Sequence, residues 1–301
     1  MTLKSLRELW PSHFFLIEAW GRSRYFQIGA VMLLLLILMA VFQPFLSGLL
    51  LESGVKPTSF GTFETYLDPS LSHPFGTDKL GRDWLSLIFL GIRTSMLIAA
   101  ISGTTSATIG IALGFIAGYK GGWVDTVLRT GTDMVLVIPS LPLLITLALY
   151  MPSINIPIMS LLLAAFSWPF TTRILRSQVL SLKERAFVDM ARTSHMGDMA
   201  IIFLEILPNL LPYLGVSLAV GMSSAMLAEI GLQLIGLGPG NINTLGLMIQ
   251  RSVNWGAMAL GKWWIVFAPV GTLIAFFVSL NLINIGLEDA FNPRLRAVTG
   301  D

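Results

Sequence analysis

The sequence predicts an all-α polytopic membrane protein with six transmembrane helices. Of its 301 residues, 54% are hydrophobic and only 12% charged, about half the charged share of a soluble domain. Mean hydropathy is +0.75. Apolar runs recur along the chain, each about as long as the roughly 20 residues that cross a hydrocarbon core. The positive charges also alternate between sides. With the amino end inside, thirteen of the 19 Lys and Arg fall on inner segments and six on outer ones, which places both termini in the cytoplasm.

Residues 1–26 mix Lys4, Arg7, Arg22 and Arg24 with Trp10, Phe14, Phe15 and Trp20, the pattern of an interfacial amphipathic segment. The first span is expected at 27–49. No small-residue cleavage site follows it, so it reads as a retained span rather than a signal peptide. Residues 50–93 are polar and turn-rich. Within them His73-Pro74-Phe75-Gly76-Thr77-Asp78-Lys79-Leu80-Gly81-Arg82-Asp83 offers either an ion or phosphate site or a turn with self-paired charges, and we read it as the turn. The second span, 94–119, carries Gly110, Gly114 and Gly118 at four-residue spacing, a face that lets another helix approach closely. The third, 133–151, is kinked by Pro139 and Pro142. Arg129 and Asp133 are four apart, a spacing that pairs them on one helical face.

The fourth span is expected at 158–175, the fifth at 210–230 and the sixth at 264–285, with an external segment at 239–263. Glu229 lies near the end of the fifth. A carboxylate there is costly unless paired or wet. It is either a gate or pathway residue, with Gly236 and Gly238 beside it, or an interfacial carboxylate that reaches water. The residues leave both open.

Between spans four and five lies the stretch that organises the chain, Lys183 to Asn209. Ala186, Phe187, Met190 and Ala191 recur at near-helical spacing, with Met199, Ile202, Phe203 and Ile206 further on. Glu184, Arg185, Asp189, Arg192 and Asp198 fill the other side, and Gly197-Asp198 marks a stop and restart. The expectation is a short amphipathic helix, a turn and a second helix entering the bilayer at Ile206-Leu207-Pro208. Such a helix, held outside the membrane, suits a groove on a partner.

Some functions are excluded. With no cysteine, the chain makes no disulfide, thiolate metal site or cysteine nucleophile. The three histidines, His13, His73 and His195, form no His-Glu-x-x-His, and no metal site is expected. The dispersed positive charge gives no nucleic-acid footprint. There is no Gly-x(4)-Gly-Lys-Ser/Thr phosphate loop, so energy for any active process must come from a partner. A stand-alone secondary transporter, the competing class, would need midplane charges or broken helices in an inverted repeat, and the spans hold almost no central charge.

These residues carry a resemblance. Asp189-Met190-Ala191 stands where membrane subunits of ABC importers have Glu-Ala-Ala. His195 stands where they have glycine, Gly197 follows two residues later, and Ile206-Leu207-Pro208-Asn209 closes the stretch at the same distance. The string His73 to Asp83, with Gly91-Ile92-Arg93-Thr94-Ser95 after it, resembles the hallmark of the C-type membrane subunit of the dipeptide/oligopeptide permease family. So do Glu229-x-x-Leu232-x-x-x-Gly236-Leu237-Gly238 and the tail Gly286-Leu287-x-Asp289-x-x-x-Pro293-Arg294-Leu295-Arg296. Gln233 and Leu234 replace that family's Ser and Phe.

The resemblance implies a type I ABC importer permease fold in the cell's inner membrane, in contact with lipid. It implies a heterodimer with a second permease subunit, two ATP-binding subunits and an extracytoplasmic substrate-binding protein. No cofactor is expected on this chain; ATP and Mg belong to the partner subunits. The chain would divide into an amino-terminal segment 1–26, a first span and external loop 27–93, and a five-span core 94–301. The coupling helix would lie at about 184–200, with Arg185, Asp189, Met190, Ala191, Arg192, His195 and Gly197 as its ATPase-coupling positions. The implied cargo is dipeptides or oligopeptides, with oligosaccharides or nickel chelates as alternatives.

Overall fold

The computed structural model describes residues 19–51, 54–151, 153–240 and 242–291. Most of the expected interfacial segment 1–26, Asn241 and the tail residues Asn292 to Arg296 lie outside the described residues. The first apolar run forms α1 (Arg24–Val41), continued after a short break by α2 (Gln43–Leu50). Then come α3 (Trp84–Lys120), α4 (Gly122–Val137), α5 (Ser140–Tyr150), α6 (Ile156–Lys183) and α7 (Ala186–Thr193). A helical turn at Asp198–Ala200 and a π-helical stretch at Ile201–Ile206 lead into α8 (Leu207–Leu234). α9 (Leu245–Asn254) and α10 (Trp263–Phe291) are the last helices among the described residues.

Among the described residues, five helices are long and apolar enough to cross a membrane: α1, α3, α6, the run Asp198–Leu234 and α10. The pair α4–α5 makes a sixth if its two arms, bent 78° apart, form one span. The bend falls at Ile138-Pro139, where proline lacks the N–H a continuing helix needs and disfavours the helical region for the residue before it. If the pair is one span, that span starts near Gly122 instead of the expected Asp133. α1 leaves Ile28, Leu34, Leu35 and Leu38 open on its surface, a girdle of apolar side chains that lipid covers in a membrane protein.

α3 is the central helix. It packs most extensively on α6, then on α8 and α1. It begins ten residues before the expected Thr94, because Asp83 caps it: the carboxylate accepts the Ser86 N–H at 2.7 Å. At 1.5 Å per residue its 37 residues span about 55 Å, well beyond a hydrocarbon core of about 30 Å. The three spaced glycines form its seam with α6. A Cβ on Gly110 would lie 2.6 Å from Thr171 Cβ and 2.9 Å from the Trp168 carbonyl oxygen. On Gly114 it would lie 3.1 Å from the Thr172 carbonyl, and on Gly118 3.0 Å from that of Arg176. The same device joins α3 to α8 at Gly103–Met222 and α1 to α10 at Gly29–Ser279 and Phe26–Gly286.

The loop before α3 is tied internally. Asp78 accepts the backbone N–H of Leu80 and of Arg82 at 2.8 and 3.0 Å, and the Arg82 Nε–H at 2.8 Å. His73 Nδ1 lies 2.8 Å from Asp83 Oδ2. The Thr77 hydroxyl donates to the Glu64 carbonyl and accepts the Leu67 N–H. All five side chains are buried, so the charges are spent on one another as the turn reading expects. α9 lies against this loop. Burial and then the nearby Arg82 charge hold the Arg251 guanidinium below its usual value, with Asp78 opposing.

Two outcomes test this packing. Gly110→Ala should cost about 1–3 kcal/mol by overpacking the seam, read as a lower Tm of the purified protein. Gly131→Ala on α4, with nothing within 4 Å, should leave Tm unchanged or slightly raised, since alanine is the better helix former. Asp78→Ala strands Arg82, which is 3% exposed, and should cost about 3–5 kcal/mol, read as proteolysis within 54–83.

Candidate functional site

The hinge between α6 and α8 is built from the apolar residues of four helices and the π-helical stretch. Val188 and Ala191, three apart on α7, turn inward onto Phe115 of α3, Val179 of α6, and Ile201, Ile206 and Leu210 on the way into α8. The expected stripe of Ala186, Phe187, Met190 and Ala191 is therefore rotated. Phe187 is half-buried, Ala186 is exposed and Met190 is 63% exposed. The chain's own hinge takes the β-branched Val188, a residue the stripe omits. Of the expected coupling positions, Arg185, Asp189, Met190, Arg192, His195 and Gly197 are exposed, while Ala191 at 6% faces the protein.

α7 ends in a Schellman motif. The Met196 N–H bonds to the Ala191 carbonyl and the His195 N–H to that of Arg192, at 3.1 and 3.0 Å. This pattern puts the residue after the cap in the left-handed region, and His195 sits there at φ 60°. α8 closes with the same two bonds, Leu237 to Leu232 and Gly236 to Gln233, and there the left-handed residue is glycine, at φ 83°. The glycine at the matching position of the resembling loops thus has a backbone reason, which His195 meets at a cost. Gly197 is not left-handed and has open space around it; it precedes the restart at Asp198.

The way into α8 is widened rather than regular. The Leu207 N–H reaches back five residues to the Ile202 carbonyl. Pro208 has no N–H to give and its ring would strike the carbonyl four residues back, so a π-turn absorbs it. Asn209 Nδ2 donates to the Glu205 carbonyl at 2.7 Å. Ile206-Leu207-Pro208-Asn209 is thus a built hinge: one buried anchor, one break and one side-chain patch.

A second polar feature joins α4 and α6. Asp125 accepts two bonds from Arg176, one of them at 2.6 Å. Asp133 accepts from Arg173 at 2.6 Å and lies 3.7 Å from Arg129, so the sequence pair is real but the closer partner comes from α6. These charges line two adjoining cavities of about 390 and 370 Å³.

At the opposite end of α8, Glu229 is 1% exposed, so its carboxylate does not reach water in this arrangement. It lies among Gln233, Thr244 and Gly246, where a Cβ on Gly246 would come within 3.2 Å of a carboxylate oxygen. Neither oxygen makes a well-formed hydrogen bond among the described residues. Gly238 lets the Gln233 amide cross it, and Gln233 Nε2 donates to Thr244 Oγ1 at 3.3 Å. Thr244 in turn caps α9. Sequence reasoning missed Val188, Arg173, Arg176 and Asp125. Val188 was within reach, three residues before Ala191, but ion pairs across 40 or 51 residues leave no local pattern.

Comparison with known proteins agrees with this architecture. A family described as "Binding-protein-dependent transport system inner membrane component" matches residues 110–297. An oligopeptide transport system permease protein, OppC, of Mycobacterium bovis is 35% identical over 76% of this chain and 79% of its own length. A dipeptide transport system permease protein, DppC, of Bacillus subtilis is 33% identical over 95% of this chain and 88% of its own. A putative peptide transport system permease protein of Brucella suis is 32% identical over 91% and 90%.

Left-handed backbone costs a non-glycine residue roughly 1–2 kcal/mol, partly offset by the greater freedom of unfolded glycine. His195→Gly should therefore stabilise the end of α7 by up to about 1 kcal/mol, read as slower hydrogen exchange of its last-turn amides. Unchanged or faster exchange would show that position 195 carries no strain.

Proposed function

The chain belongs to the family of binding-protein-dependent transport system inner membrane components, and from that premise we propose a mechanism for its part in import. It is a non-catalytic, multi-pass membrane permease subunit of an ABC-type importer. With a homologous second permease subunit it forms a pathway for dipeptides or oligopeptides. Two ATP-binding subunits drive it from the cytoplasm, and an extracytoplasmic substrate-binding protein delivers the cargo. In this reading the bent α4–α5 pair is the third of six spans, so both termini and α7 lie on one side, and the bias of positive charge supports the cytoplasm as that side. The cargo reading is supported by the relatives, an oligopeptide and a dipeptide transport system permease protein among them.

The observation that carries the coupling reading is the seat of α7. An eight-residue helix outside the spans rests on its own chain through Val188 and Ala191 and leaves Arg185, Met190 and the Asp189–Arg192 pair exposed. Ala191 then seats the helix and the exposed residues meet the motor. Closure of the ATP-binding subunits would push α7, and the packed spans would convert the push into opening toward the other side. Glu229, Gly236 and Gly238 belong to the far end of α8, where the α8–α9 packing would be the part that gives.

The test is Arg185→Glu with Met190→Glu in the assembled complex, in vesicles. Peptide-stimulated ATP hydrolysis and peptide uptake should both fall severalfold while membrane insertion is unchanged. Normal coupling in that variant would remove α7 as the contact. Uptake of nickel chelate or oligosaccharide but not peptide by the unaltered complex would replace the cargo.

A further inference from the structure

Tyr119, next to last in α3, sits where four elements meet. Its carbonyl is among the last four of a helix, which find no partner inside it. The Lys183 ammonium, on the last residue of α6, donates to that carbonyl at 2.6 Å and lies 5.8 Å from the centre of the tyrosine ring. The end of the α3 dipole favours a cation there as well. The Tyr119 hydroxyl donates to Asp198 Oδ1 at 2.7 Å, across 79 residues. Arg192 of α7 stands beside the same hydroxyl.

The neighbouring attachments are weaker in direction. α7 rests on Val188 and Ala191 with Phe187 packed beside them, and non-directional contacts of this kind let a helix slide. The chain after Asp198 runs into the π-turn before Pro208, where regular helix bonding is interrupted and a push is absorbed by bending. α3 and α6, locked by their glycine seam, form the stiff body on the other side.

We propose that Tyr119 is the positioning residue that ties the α7 segment to the α3–α6 pair, so that force on α7 moves both helices instead of bending the chain before Pro208. This rests on the reading of α7 as the site where the ATP-binding subunits push. The tyrosine does not touch cargo or nucleotide; it acts through Asp198.

The experiment uses the assembled complex in vesicles and compares Tyr119→Phe, Asp198→Ala, Asp198→Asn and the double variant Tyr119→Phe/Asp198→Ala. The readout is cargo moved per ATP hydrolysed, alongside the yield of complex. Losing one exposed, charge-assisted hydrogen bond should lower that ratio about two- to fivefold in Tyr119→Phe and Asp198→Ala. The double variant should be no worse than either single change. Asp198→Asn keeps an oxygen that accepts from the hydroxyl and should retain the ratio. Yield should be equal in all, since the seam holds the fold. A normal ratio in Tyr119→Phe, while Arg185→Glu/Met190→Glu loses it, overturns the clasp and leaves α7 docking intact. Normal ratios in both overturn the docking reading, and the clasp with it. A fall in yield that matches the fall in ratio, or a loss in Asp198→Asn equal to that in Asp198→Ala, also overturns the clasp, because the bond then serves folding or charge alone.

Discussion

The backbone-to-backbone approach of α3 and α6 through Gly110, Gly114 and Gly118 is the contact on which the rest of the molecule depends. In lipid, apolar side chains gain little from leaving one hydrocarbon surface for another, so helices hold together through close packing and hydrogen bonds. Removing the Cβ at three successive turns brings α3 within contact of the α6 carbonyls of Trp168, Thr172 and Arg176. Both run in the same direction and both end beside Lys183. The pair forms a stiff body to which α8, α1 and the two ends of the bundle are attached.

The two ends are built on opposite principles. Before α3, the loop spends its charges internally: Asp78 on Arg82, Asp83 on His73 and on the cap of α3. Buried charges that are fully paired hold one arrangement and leave little to bind an ion. At the α7 end the charges point outward and the backbone is interrupted, by a left-handed histidine, a restart at Asp198 and a π-turn ahead of Pro208. A rigid cap at one end and a segmented lever at the other suit a subunit that receives force on one side only. That asymmetry gives physical content to the proposed coupling.

Much of this was legible in the sequence. The apolar runs, the glycine face and the proline break at 139 each followed from a local rule, because each depends on residues three or four apart. The self-paired turn at His73–Asp83 was legible for the same reason. The facing of α7 was misjudged, because the stripe left out Val188, three residues before Ala191, which packs with Phe115 and Val179. The start of α3 was missed because residues 50–93 were read as one polar, turn-rich stretch, whereas Asp83 caps the helix within it. Tyr119 to Asp198 and Asp125 to Arg176 are long-range pairs, fixed only once the helices pack. The resemblance supplied the glycine expected at 195, and the backbone explains why a residue with φ of 60° stands there.

The chain has no cysteine, so single cysteines can be placed on α7 without background. Met190→Cys lies on the outward face and Val188→Cys on the face packed against Phe115. With the complex assembled and a short thiol-to-amine cross-linker added, Met190→Cys should join to an ATP-binding subunit and Val188→Cys should not. Joining at 188 but not at 190, or at neither, would mean that α7 does not meet the motor through this face.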